Sequence, residues 1–280
     1  MTEVNMGIFS GCLLASDFDA TLTNSKGVVP EEVKEALRYY TANGGLFTVC
    51  TGRTKQGFHA YSADMINAPV LLANGAMAYN YENGKIVVLH GIEKDSIDTI
   101  RYIKDNFPGI GIEFYGADFK SYVINPDERN KRHFEFQFID YTVVDDVYED
   151  NLPAVKVMVS VGRDRCEEFQ RFLDSAPMGN LKYIPQYGDF IEIISKDTDK
   201  GKGLLELADA CGISHDRVFS IGDGANDVAM LKAAYIGFVP ENGCDLAKQA
   251  GDVIVKSNDE FAVADAISRI EKLVKGLEIV

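Results

Sequence analysis

No two of the five cysteines in this 280-residue chain form a C-x-x-C pair. Cys12, Cys50, Cys166, Cys211 and Cys244 are odd in number and widely scattered, a pattern that supports neither a thiolate zinc site nor a dithiol redox motif and fits reduced thiols. Positive charge is scarce as well, with 28 Lys and Arg against 43 Asp and Glu and a net charge of −15. Such a field opposes non-specific binding to nucleic-acid phosphates and to anionic membranes, so neither is expected as a partner. An anionic ligand would need a local positive site or a metal. No apolar stretch approaches the ~20 residues of a membrane span, and residues 1–5 lack the basic and apolar regions of a signal peptide. A cytoplasmic protein is expected. Long repeats and low-complexity tracts are absent too, so organisation must come from the order of helices and strands.

What is present is globular in kind: 46% hydrophobic and 25% charged residues argue against disorder and allow a sizeable core. Cys12 to Ala15 reads as a buried strand that ends at Ser16-Asp17-Phe18-Asp19-Ala20-Thr21-Leu22-Thr23. In a strand, residues two apart share a face, so Asp17 and Asp19 are expected to project together. Two like charges about 4 Å apart repel by about 4 kcal/mol at an effective dielectric near 20, so the pair calls for a cation or a shared proton. Pro30, Glu31 and Glu32 open a helix that Asn43-Gly44-Gly45 closes, and Leu46 to Cys50 follows as a strand. A helix from Thr54 to about Ile66 and a strand at Pro69 to Ala73 complete a strand-helix repeat, which implies right-handed crossovers and a parallel sheet. Asn83-Gly84 marks a hairpin near a boundary.

From about Val87 the rhythm becomes α+β, with an alternating strand at Val155 to Val161 and a helix from Arg163 to Leu173. Near Phe190 to Ile194 the doubly wound rhythm is expected to return, with strands at Val218 to Ile221, Ile236 to Val239 and Val253 to Val255 and a closing helix from Glu260. The middle thus reads as an insertion into one α/β domain.

Four segments stand where core strands give way to turns or helices: Asp17 to Asp19, Thr51-Gly52-Arg53, Lys200-Gly201, and Gly222-Asp223-Gly224-Ala225-Asn226-Asp227. Ligands of open parallel sheets bind outside the carboxyl ends of the strands. Each segment also has a plainer reading, as a turn or helix cap at Thr51 to Arg53 and as a solvated lysine at Lys200. Familiar motifs fail at particular residues. Leu22 and Val28 occupy the Gly and Glu positions of an EF-hand loop, Lys196 stands where a P-loop needs glycine, and Asp227 replaces the third glycine of a dinucleotide fingerprint. No Gly-x-Ser-x-Gly elbow occurs, and His59, His90, His133 and His215 lie outside all four segments.

What remains is carboxylates with a hydroxyl, backbone donors, a lysine and an amide, which is equipment for moving a phosphoryl group with Mg²⁺. One carboxylate can attack phosphorus in line and a second can exchange protons with the leaving oxygen and the attacking water. Thr51, the Gly52 N–H, Lys200 and Asn226 are suited to hold the non-bridging oxygens.

In order and in type, these residues resemble the haloacid dehalogenase (HAD) superfamily, specifically its Cof-type phosphatases with a large cap between the second and third motifs. Asp17-Phe18-Asp19-Ala20-Thr21-Leu22 looks like the first motif, Thr51-Gly52-Arg53 the second, Lys200-Gly201-Lys202-Gly203-Leu204 the third and Gly222 to Asp227 the fourth. The resemblance implies a doubly wound parallel-sheet (Rossmann-like) α/β core at 1–86 and 189–280 and an inserted α+β cap, the substrate-specificity domain, at 87–188. It implies Asp17 as nucleophile, Asp19 as acid/base, and Mg²⁺ held by Asp17, the Asp19 carbonyl and Asp223, with Asp227 in support. Thr51, Gly52, Lys200 and Asn226 would bind phosphate; Lys202 would face solvent, and Arg53 would either back the site or be solvated. Asn74-Gly75-Ala76 resembles a further family segment that turns the chain toward the cap, and Ala20 departs from the family's glycine.

The expected function is a Mg²⁺-dependent phosphohydrolase for a small phosphorylated metabolite such as a sugar phosphate. The alternatives are a phosphomutase of the same superfamily, phosphomannomutase-like, and a non-enzymatic phosphate sensor. Tyr115, Tyr122, Arg129, Arg132 and Tyr187 are the insert's candidates for touching substrate, against a plainer role in packing or on the surface.

Overall fold

The structure, a computed structural model, describes residues 7–148, 150, 153–185 and 188–277. Two compact units divide it: Met1–Gly52, Ala60–Val88 and Asp199–Val280 form the first, Arg53–His59 and Leu89–Thr198 the second. No helix among the described residues is long and apolar enough to cross a membrane.

The first unit is built on a five-stranded parallel sheet, in the order Val253–Val255, Ile236–Pro240, Val218–Ile221, Leu13–Ser16, Leu46–Val49. A single parallel bridge, Cys50 to Leu71, continues it toward Val70–Leu72. The interior strand Leu13–Ser16 is buried throughout, as a strand covered on both faces must be. Leu13, Ala15, Val218, Leu204, Leu207 and Met230 share one buried cluster, which seats the helices Lys200–Ala210 and Val228–Ala233 on the sheet. The helix Glu31–Ala42 buries Val33, Leu37 and Tyr40, one stripe at helical spacing, and packs against Leu46–Val49 and the helix Ala262–Val274. Full burial of each such aliphatic side chain stabilises the fold by about 1.5–3 kcal/mol. The chain winds outward in both directions from the neighbouring pair Leu13–Ser16 and Val218–Ile221, so the topological switch point lies between them.

A small sheet in the order Val70–Leu72, Met77–Asn80, Lys85–Leu89 branches from this core. The Gly84 N–H bonds the Asn80 carbonyl across the expected Asn83-Gly84 turn. Residues 54–66 hold no helix, contrary to the sequence expectation. The Thr54 hydroxyl takes the Gly57 N–H, as a helix cap would, and the Ser62 carbonyl takes the Met65 and Ile66 N–H groups, but each is a single turn that does not propagate, and Gly57 disfavours helix between them.

The second unit carries a six-stranded sheet in the order Leu181–Pro185, Phe190–Ser195, Ala154–Ser160, Gly111–Gly116, Ser121–Ile124, Thr142–Val144. Its neighbouring strands pair antiparallel except the last two, which are parallel. Phe190–Ser195 therefore belongs to this inserted sheet, and the doubly wound pattern resumes only at Lys200. Its apolar alternation fits a half-buried antiparallel strand equally well, so hydrophobicity alone did not separate the two. Ile112, Phe114, Val157, Val159, Ile191 and Ile193 line one face and pack with Ile100 and Ile103 of the helix Ile97–Asn106 and Phe169 and Leu173 of the helix Cys166–Ser175.

Glu113, Tyr115, Lys156 and Glu192 are also buried, at alternating positions along the same strands. Tyr115 Oη (2.7 Å) and Asn130 Nδ2 (2.8 Å) donate to Glu113, which also faces His133 Nδ1 at 2.7 Å. Tyr115 is thus held inside a polar network. Tyr122 packs on the apolar cluster, Arg129 bonds Ser160 and Asp127, and the exposed Arg132 bonds the Glu128 carbonyl. Tyr187 lies outside the described residues.

Candidate active site

Asp17 follows the interior strand Leu13–Ser16 at its carboxyl end. Its N–H bonds the Ile221 carbonyl at 2.8 Å, one residue past the Ser16 to Ile221 register, and the residue is 8% exposed. The strand itself stops at Ser16, so the shared strand face expected of Asp17 and Asp19 does not arise: Asp17 is buried and Asp19 is exposed. Beyond Asp19 the backbone turns sharply, with Ala20 at φ 58°. The Ala20 N–H bonds Thr23 Oγ1, and its carbonyl accepts from Asn242 Nδ2 at 2.9 Å.

A left-handed alanine is strained by about 1 kcal/mol or more, and Thr23 and Asn242 hold it there. Ala20→Gly should therefore stabilise the protein by about 0.5–1 kcal/mol after the extra freedom of the unfolded chain is counted. Urea denaturation measures this, and a less stable variant would contradict the strain.

Lys200 opens the helix Lys200–Ala210, whose start is fixed by Asp199, its side chain accepting from the Lys202 N–H at 2.8 Å. Lys202 itself is exposed. Lys200 is fully buried, and its Nζ donates at 2.6 Å to both Asp17 Oδ1 and Asp227 Oδ1. The solvated reading of this lysine is excluded. Burial disfavours its ammonium, but Asp17 and Asp227 outweigh that and hold its pKa above the usual lysine value.

The loop after Val218–Ile221 supplies the remaining acids. Asp227 Oδ2 accepts the Gly224 N–H at 2.8 Å, and Asp223 Oδ1 accepts from Thr21 Oγ1 at 2.6 Å. Oxygens of Asp17, Asp223 and Asp227 all lie within 4.8 Å of one another. Asp19 contributes no carboxylate to that cluster. Thr51 is buried, with its N–H on the Leu71 carbonyl; Gly52 is half-buried, and Asn226 is exposed and donates to Asn74 Oδ1 at 3.2 Å. Arg53 falls in the second unit, where its Nη1 reaches the Gly57 carbonyl.

Fully ionised, the three carboxylates exceed the one ammonium by two negative charges in a largely buried site. Hard oxygen donors of that net charge fit a divalent cation such as Mg²⁺. Burial, reinforced by Asp227 and Asp223 and opposed by Lys200, pushes Asp17 up to about 8 from an ordinary 3.8, and Asp223 is raised chiefly by burial. In metal-free protein the fold keeps a proton on Asp17 that the unfolded chain releases. The corresponding stability is complete below 3.8 and is lost as pH rises through about 8. Melting temperature in chelator should therefore fall between about pH 4 and 8 and level off above that, and Mg²⁺ should reduce the fall by favouring the ionised form. Parallel curves with and without Mg²⁺ would break the link between cation and cluster.

A family model described as haloacid dehalogenase-like hydrolase matches residues 14–267. The chain belongs to that family. Among its relatives is the 5-amino-6-(5-phospho-D-ribitylamino)uracil phosphatase YwtE of Bacillus subtilis (strain 168), 26% identical over 285 residues, with 92% of this chain and 97% of the relative covered. The chain is also 26% identical over 278 residues to the chloroplastic endoribonuclease YBEY of Arabidopsis thaliana, a match that takes 90% of this chain and spans only 45% of that protein. A haloacid dehalogenase-like hydrolase from Bacteroides thetaiotaomicron shares the fold, with a TM-score of 0.81 at 23% identity over 92% of this chain and 99% of the other.

For this hydrolase, sequence reasoning passed over three neighbours of the site. Thr21 was visible only as part of a motif, although it bonds an acid 202 residues away. Asp199 carried a signal, since an acid directly before a helix is a cap pattern. Asn74, expected only to turn the chain, accepts a hydrogen bond from Asn226.

Proposed function

We propose that the protein is a Mg²⁺-dependent phosphohydrolase of small phosphorylated metabolites, with sugar phosphates as the substrate class. The observation that carries this reading is the buried Asp17–Lys200–Asp227 triad with Asp223 beside it, at the switch point of a parallel sheet. The phosphatase name of YwtE, whose substrate carries its phosphate on a ribityl chain, supports the substrate class.

An Asp17 carboxylate oxygen attacks phosphorus in line as the bond to the leaving oxygen breaks, giving an aspartyl phosphate. Asp19 gives its proton to that oxygen, releasing the alcohol. It then takes a proton from water as the water attacks phosphorus, releasing phosphate and restoring Asp17. Thr51, the Gly52 N–H, Lys200 and Asn226 hold the non-bridging oxygens throughout. Mg²⁺, when bound by Asp17, Asp223, Asp227 and the Asp19 carbonyl, supplies charge neutralisation that lets a phosphate dianion enter a carboxylate site. The inserted unit serves in this reading as the cap that selects substrate. Five unpaired cysteines agree with work in the reducing cytoplasm.

Purified protein with Mg²⁺ and a panel of phosphate monoesters should release inorganic phosphate, and Asp19→Asn should accumulate phosphate on Asp17, seen as an acid-stable mass increase on that peptide. No release from any monoester would overturn the phosphatase. Isomerisation of a hexose 1-phosphate without net release would replace hydrolysis by a mutase reaction.

A further inference from the structure

Ala73, Asn74 and Gly75 are three successive left-handed residues, at φ 49°, 55° and 96°. All are buried, and they directly follow the strand Val70–Leu72. Backbone of this kind costs about 1–3 kcal/mol at each non-glycine position and persists only where its surroundings over-determine it. The surroundings here are the phosphoryl-binding segments. The Asn74 N–H donates to the Thr51 carbonyl at 3.0 Å. Its side-chain amide lies so close to Gly52 that a methyl group there would stand 3.1 Å from Oδ1 and 3.3 Å from Nδ2. The same Oδ1 accepts from Asn226 Nδ2 at 3.2 Å. A Cβ on Gly75 would sit 2.3 Å from the Asp199 carbonyl oxygen and 3.1 Å from the Lys200 nitrogen, so glycine is required there by space as well as by φ.

One strained turn thus touches Thr51-Gly52, Asn226 and the start of the Lys200 helix. We propose that Asn74 is a positioning residue for phosphoryl binding, acting through Asn226 and the Thr51-Gly52 turn. The Asn226 amide has two hydrogens on Nδ2: Asn74 takes one and fixes the plane of the amide, which aims the other at a phosphoryl oxygen. Its main-chain bond to Thr51 fixes the Gly52 N–H in the same way. The proposal rests on the phosphatase reading.

Asn74→Gly tests it, because glycine accepts the left-handed backbone without strain while the side-chain acceptor is lost. With para-nitrophenyl phosphate as probe, kcat/KM should fall about 100-fold and the inhibition constant of inorganic phosphate should rise about 10-fold, at a melting temperature within about 4 °C of the parent. In an Asn226→Ala background the same substitution should change kcat/KM less than about threefold, a dependence that a purely structural role would not show. If the glycine variant fails to fold, Asn74→Ala removes the same acceptor at the strain of one left-handed alanine, as at its neighbour Ala73, and should raise the phosphate inhibition constant by about the same factor. Parent-like kinetics in Asn74→Gly, or equal losses in both backgrounds, would overturn the positioning role and leave the phosphatase intact. A parent protein that neither hydrolyses nor binds phosphate would overturn both.

Discussion

Replacing Lys200 by methionine is expected to destabilise the metal-free protein by about 3–5 kcal/mol near pH 8 and to abolish phosphoryl transfer. Methionine fills the space with a flexible apolar chain, so packing accounts for little of the loss. The charge accounts for most of it. Lys200 is fully buried and bonds Asp17 and Asp227 at 2.6 Å each; without it three carboxylates converge with no cation. Each close pair then repels by about 4 kcal/mol at an effective dielectric near 20, relieved only by taking up protons. The variant should therefore be least stable at high pH, and added Mg²⁺ should stabilise it more than it stabilises the parent. Urea denaturation at two pH values, with and without chelator, measures both effects. A loss below about 1 kcal/mol would show that the ammonium is not what holds the cluster together.

Asp17→Asn is expected to lower turnover by about 10⁴-fold or more, with a stability change of the opposite sign. The amide keeps the shape of the side chain and an oxygen for the Lys200 ammonium, but it cannot attack phosphorus. It also removes the carboxylate that burial most disfavours. Above about pH 8 the metal-free variant should therefore match or exceed the parent in stability, while its stabilisation by Mg²⁺ should shrink with the charge of the site. Phosphate release and thermal melts in the same buffers provide the check. Lys200→Met loses both fold and chemistry, whereas Asp17→Asn loses chemistry alone, and the pair separates the two roles. A variant that is both active and fully Mg²⁺-responsive would remove Asp17 from the site.

The core was legible in the sequence wherever a short apolar run met a glycine or an acid at its carboxyl end. Leu13–Ser16 and Val218–Ile221 are such runs, and each is a core strand. Phe190–Ser195 is a comparable apolar run, though Lys196 follows it, and it pairs antiparallel with Leu181–Pro185 and Ala154–Ser160. Alternation of apolar residues reports burial and not the sheet that provides it. The expected helix at 54–66 is reduced to isolated turns at Thr54 and Ser62, because spacing of apolar residues does not show whether one turn propagates into the next.

At the site, residue types and their order were legible, and burial was not. Lysine is usually solvated, and nothing next to Lys200 in the chain announces partners 183 and 27 residues away. Asp19 shows the converse limit, since the pleat that would pair it with Asp17 ends one residue before the motif begins.

The closeness of Gly52, Asn74 and Asn226 has a consequence for how the chain can change by mutation. A methyl group at position 52 would press on the Asn74 amide at 3.1 Å, and a smaller residue at position 74 would strip Asn226 of its acceptor. No one of the three can be altered without a defect at another, while a matched exchange leaves less strain behind. These positions, far apart in sequence, form a single unit of mutational tolerance, and libraries that vary them one at a time will miss the combinations that work.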